Sequence, residues 1–79
     1  MRRGFNRMAR KLFRKLVDVK TFQESIQIME RLQQAKIPST YHVYAIVAKN
    51  LDFIRILVHV HNLSAARQVV ATLRQEAIR

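Results

Sequence analysis

Apolar residues recur along this chain at three- and four-residue steps, in four successive stretches. The first holds Phe5, Met8, Ala9, Leu12, Phe13, Leu16 and Val17, and the second Phe22, Ile26, Ile28, Met29, Leu32 and Ala35. The third is broad: Tyr41, Tyr44, Ala45, Val47, Ala48, Leu51, Ile54, Leu57 and Val58. The fourth is the cleanest, with Leu63, Ala66, Val69, Val70, Leu73 and Ala77. A 3.6-residue period predicts amphipathic helices, here near residues 5–17, 21–36, 39–60 and 63–78.

Boundary residues sharpen these limits. Thr21-Phe22-Gln23-Glu24 is a capping box, in which the Thr21 hydroxyl takes the N3 amide and Glu24 reaches back. Lys36-Ile37-Pro38 stops the second helix, because proline cannot continue the hydrogen bonding and restricts the residue before it. Ser39 or Thr40 then caps the third helix, whose weak point is Lys49-Asn50. His61-Asn62 breaks the chain again, with Asn62 suited to an N-cap. The expected fold is all-α: four helices in two antiparallel hairpins, forming a short α-solenoid-like array. Residues 1–79 form one small domain, with a basic N-terminal helix over 1–20 and a helical-repeat region over 21–79.

Composition narrows the function. One glycine and one proline in 79 residues argue against tight β-turns, and the absence of cysteine excludes a disulfide framework and thiolate metal sites. The net charge is +10, which calls for a polyanionic partner. Eight of the fifteen basic residues lie in the first twenty positions, against one acid, Asp18. On a helix, Arg7, Arg10, Lys11, Arg14 and Lys15 would line up opposite the apolar stripe. Such a row reads as a solvated face, a phosphate-binding face or a contact for an anionic membrane. Phosphate suits cations one helical turn apart, so Arg2, Arg3, Arg7, Arg10, Lys11, Arg14, Lys15 and Lys20 are the candidate RNA-binding residues. No apolar run approaches the ~20 residues of a membrane span, and membrane binding is not expected. Residues 1–17 are Arg-rich and acid-free, like a mitochondrial import signal, here read as one retained as structure.

Displaced by 41 residues, the two halves correspond. Thr21 falls on Asn62, Phe22 on Leu63, Ser25 on Ala66, Ile28 on Val69, Met29 on Val70, Leu32 on Leu73 and Ile37 on Ile78. Repeated helical pairs are the signature of α-solenoids. NLSAARQVVATLRQEAI resembles the second helix of the pentatricopeptide repeat family, and FQESIQIMERLQQAKIP is similar. Lys36 and Ala77 stand where that family usually has glycine. Lys11 and Asp52 stand where its first helices carry base-reading side chains. The resemblance implies an RNA-associated, organellar, helical protein.

No catalytic constellation is present. The five acids are scattered, and Ser25, Ser39 and Ser64 lack any nucleophile-elbow context. On a helix, His59 and His61 would point about 200° apart and would not share a metal with His42. Tyr41 and Tyr44 read as core residues with hydroxyls at the rim. The chain is therefore expected to be a non-enzymatic structural protein without cofactor, metal or small-molecule substrate. It would bind ribosomal RNA through phosphates within a ribosome of the mitochondrial matrix or another large ribonucleoprotein, beside neighbouring proteins. The alternative is a protein–protein adaptor or accessory subunit of an organellar complex.

Overall fold

A computed structural model describes residues 12–49 and 51–78 of the chain. The elements are β1 (Phe13–Val19), α1 (Phe22–Gln34), β2 (Ser39–Ile46), β3 (Leu51–His59) and α2 (Leu63–Ile78). Short 3₁₀ turns at Val47–Lys49 and Val60–Asn62 lead out of β2 and into α2. The fold is thus mixed α/β, a three-stranded antiparallel sheet with two helices, and not the all-α array of four helices. The expected helices over 21–36 and 63–78 form. The one expected over 39–60 is two strands, and the described end of the one expected over 5–17 is the strand β1. Positions 5–11 of that expected helix lie outside the described residues.

The sheet order is β1-β3-β2, with β3 central and antiparallel to both neighbours. β1 and β2 are therefore parallel, joined through α1, with β3 slotted between them. β2 and β3 form a local hairpin, and the 3₁₀ turn that follows β2 ends at Lys49, beside the expected weak point. Residues 39–60 suit strands because Val, Ile, Thr, Tyr and Phe fill eleven of the 22 positions. Branching at Cβ and aromatic bulk disfavour a helix and pack well on a pleated surface.

The helical spacing in these segments has a structural origin. In β3, Ile54, Ile56 and Val58 are buried while Phe53, Arg55, Leu57 and His59 lie half-buried on the opposite face. Apolar residues on both faces of a central strand produce an almost continuous run, which contains i, i+3 and i+4 matches by default. In β1 the ladder register shifts between Lys15 and Val17. The bulge lets consecutive Leu16 and Val17 both pack against the core and imitates a helical step.

Both helices cover one face. Their residues Ile28, Leu32, Ala66 and Val70 join Val19, Ile37, Ile54, Ile56 and Val58 in one buried cluster. Leu32, Ile56 and Val58 are fully enclosed, each stabilising the fold by about 1.5–3 kcal/mol. Glu24 and Gln27 lie across from Arg74 and Ala77, while Arg31 and Ala35 lie across from Gln68 and Thr72, so the helices run antiparallel. An ion pair between Arg31 and Glu76 ties them together. The 41-residue correspondence holds at the helix starts, Phe22 and Leu63, and at the small buried pair Ser25 and Ala66. The repeated unit is a strand followed by a helix, not a helical hairpin.

Local signals end α1 as they begin it. The Thr21 hydroxyl accepts from the Glu24 amide at 3.1 Å. At the other end the Ile37 amide donates to the Leu32 carbonyl at 2.8 Å, and the Lys36 amide to the Gln33 carbonyl at 2.9 Å. That is a Schellman closure, sealed by buried Leu32 and Ile37. It puts Lys36 at φ 61°, a left-handed conformation that glycine adopts more easily.

Candidate nucleic-acid interface

The face of the sheet turned away from the helices carries the chemistry. Ladder partners in an antiparallel sheet share a face, so the register sorts the side chains. β1 presents Phe13 and Lys15, then Asp18 beyond the bulge; β3 presents Phe53, Arg55, Leu57 and His59; β2 presents Thr40, His42, Tyr44 and Ile46. Five of these eleven side chains are aromatic rings.

At the centre, the Tyr44 and Phe53 rings are stacked, with centroids 5.0 Å apart and planes 15° from parallel. The Arg55 guanidinium lies 5.1 Å from the Tyr44 centroid and 5.4 Å from that of Phe53. Its Nε donates to Asp18 Oδ1 at 2.9 Å and its Nη2 to Asp18 Oδ2 at 3.1 Å. This fork holds the Asp18 carboxyl below its ordinary pKa, against a smaller opposing effect of burial, and raises that of Arg55. Lys15 Nζ adds a longer contact to Asp18 at 3.9 Å. Toward one end, Phe13 meets His59 edge-on at 6.0 Å, and His59 stacks on His61 at 4.9 Å. Toward β2, the His42 and Tyr44 rings are 6.4 Å apart.

This geometry corrects two readings of the rings. Tyr44 and Tyr41 are exposed rather than core, because β2 is an edge strand with few neighbours. His59 and His61 do not diverge: His59 ends a strand, His61 sits in the following turn, and His59 Nδ1 accepts the His61 amide at 3.1 Å.

Of the candidate RNA-binding residues, Arg14, Lys15 and Lys20 are described, while Arg2, Arg3, Arg7, Arg10 and Lys11 lie outside the described residues. Arg14 and Lys15 do not share a helical face. They are consecutive in a strand and point to opposite sides, with Lys15 on the ringed face. Arg14 Nη1 donates to the Phe13 carbonyl at 3.1 Å. Lys20 is exposed just after β1. Phe13, Tyr44, Phe53, Arg55 and His59 were not foreseen as one surface. The signal for them was the two-residue period of Phe53, Arg55, Leu57 and His59, hidden inside an apolar run.

Set against known protein families, curated proteins and solved structures, the chain matches none of them.

Proposed function

We propose that this chain is a structural RNA-binding protein of a large ribonucleoprotein. A single-stranded segment would lie on the open sheet face, with phosphates met by basic residues of the first twenty positions. The observation that carries this reading is the stacked Tyr44–Phe53 pair with the Arg55 guanidinium beside it, on the face that neither described helix covers, in a chain of charge +10. Aromatic rings accept any base, at roughly 1–3 kcal/mol per stacked base. Arg55 and Asp18 largely neutralise each other, so the face supplies stacking and the N-terminal cations supply long-range attraction. Phe13, the first residue of β1, lies on this face, and the basic stretch precedes it in the chain. The Arg-rich, acid-free composition of residues 1–17 supports a mitochondrial setting.

The test is the salt dependence of binding to single-stranded RNA, where each neutralised phosphate contributes about −0.7 to the slope of log affinity against log salt. Replacing Arg10 and Arg14 together with Gln is expected to flatten that slope by about one to two units and to weaken unrelated sequences alike. A flat slope for the unaltered chain would overturn the reading and favour the adaptor.

A further inference from the structure

We infer that the edge of β2 left unpaired among the described residues is a self-association surface, where two copies of this chain join in one continuous six-stranded sheet. The two edges of the sheet are treated differently. β1 carries Arg14, Lys15 and Asp18 and is interrupted by the bulge at Leu16. Charges and bulges are the devices by which edge strands avoid pairing. β2, STYHVYAI, has neither: it has no lysine, arginine, aspartate or glutamate, and its ladder with β3 runs without a register shift from Ser39 to Ile46.

Beside this edge lies apolar surface on the helix side. The row Phe22, Ile26, Met29 and Gln33 runs along the flank of α1 turned from α2. Met29 and Gln33 border a groove of about 410 Å³ with Lys36, Ile37, Pro38 and Ser39 at the start of β2. α1 runs antiparallel to β2, so Ile26 and Phe22 follow alongside the later part of the strand. Phe22 is 58% exposed, Ile26 54%, Val43 55% and Tyr41 48%. With side chains of this size, and about 150–250 Å² for each aromatic, these four offer about 400 Å² per copy. The backbone edge and the half-exposed Tyr44 and Ile46 add to that, approaching the roughly 600 Å² per partner of a small specific interface.

The chemistry selects a second copy as the occupant. A two-fold axis normal to the sheet pairs β2 antiparallel with itself and keeps both helix layers on one side. Tyr41 and Val43 then meet Val43 and Tyr41 of the second copy, and the two α1 flanks close over the seam. The strand brings no charge to that seam. The charges of β1 lie two strand spacings behind it, about 10 Å, beyond the Debye length of about 8 Å at physiological ionic strength. Arg55, one strand behind, is paired with Asp18, and Lys36 and Lys49 stand at the two ends of the strand, so two basic chains meet fewer charges along this edge than along β1. The joined sheet doubles the ringed platform without any requirement for nucleic acid.

The experiment uses the full chain, freed of nucleic acid by nuclease and held at about 1 M salt, where screening lengths fall to about 3 Å. Light scattering after size exclusion is expected to give twice the 9.3 kDa of one chain. Val43→Lys places a charge on the seam at an exposed position and is expected to give single chains with unchanged circular dichroism. The chain has no cysteine, so His42→Cys, which the two-fold axis sets opposite its own copy, offers a second measurement free of added charge. Oxidation should link it into a covalent dimer, while Thr72→Cys, on the exposed side of α2, should not link. A mass of one chain for the unaltered protein up to about 100 µM would overturn the inference, since that concentration corresponds to only about 5.5 kcal/mol of association. So would a Val43→Lys chain that stays dimeric, or equal linking of the two cysteine variants. RNA binding by single chains would leave the RNA reading standing while this one fell.

Discussion

Arg55 meets Asp18 through two hydrogen bonds across the β3–β1 ladder, while the same guanidinium carbon lies over the Tyr44 and Phe53 rings, 5.1 and 5.4 Å from their centroids. One side chain thus links all three strands on the open face. Lysine cannot reproduce a planar two-bond fork beside these rings.

A pH dependence follows from the depressed Asp18 pKa. A carboxyl lowered on folding stabilises the fold above its unfolded value, near the ordinary 3.8, and that contribution disappears as pH falls through the lower folded value. Asp18→Asn is therefore expected to lower the melting temperature at about pH 6 and to make progressively less difference as the pH falls below the ordinary 3.8. Melts of both proteins across that range check it. An equal loss at both ends would mean that the side chain acts through packing rather than charge.

Stacking on the open face predicts a selective loss. Tyr44→Ala and Phe53→Ala should each weaken single-stranded RNA binding by about 1–3 kcal/mol, roughly five- to a hundredfold. Duplex RNA keeps its bases paired and inaccessible, so its affinity should hardly move. Parallel titrations with the two forms read the difference, and equal losses for both would exclude base stacking.

Ala66 is fully buried and Ala71, five residues further along α2 and on another face, is exposed. Ala66→Asp should destabilise by about 3 kcal/mol or more, because an unpaired carboxylate enters the core. Ala71→Asp should stay within about 0.5 kcal/mol of the unaltered chain. Urea titrations of the two variants compare them directly.

Lys36 holds a left-handed backbone at the end of α1. Lys36→Gly should stabilise by about 0.5–1 kcal/mol, the relief of the Cβ clash less the entropy that glycine gains when unfolded. The same denaturant titration measures it.

How much of this was legible in the sequence depends on what each residue reports. Thr21, Glu24 and Pro38 report local geometry, and α1 begins and ends where they imply. The stripe of α2 faces one side only, so Leu63, Ala66, Val69, Val70 and Leu73 were readable as its packed face. Ile54, Ile56 and Val58 were not separable from Phe53 and Leu57, because the face of a central strand is set by partners far away in the chain. The open face was hidden for the same reason: Phe13, Tyr44 and Phe53 become neighbours only through ladder register. Leu16 and Val17 misled further, since a bulge changes the very spacing by which strands are recognised.

The placement of β3 between β1 and β2 has a consequence for the order of assembly. β2 and β3 are adjacent in the chain, and their hairpin can close within microseconds. Phe13, by contrast, pairs with His59 across more than half of the 79 residues. That long loop must be closed before its contacts contribute any stabilisation, which places the burden of a slow search on β1. During synthesis β1 and α1 emerge first and wait for the strand that completes them. A nascent chain halted before residue 51 would hold both sheet neighbours of β3 and no sheet.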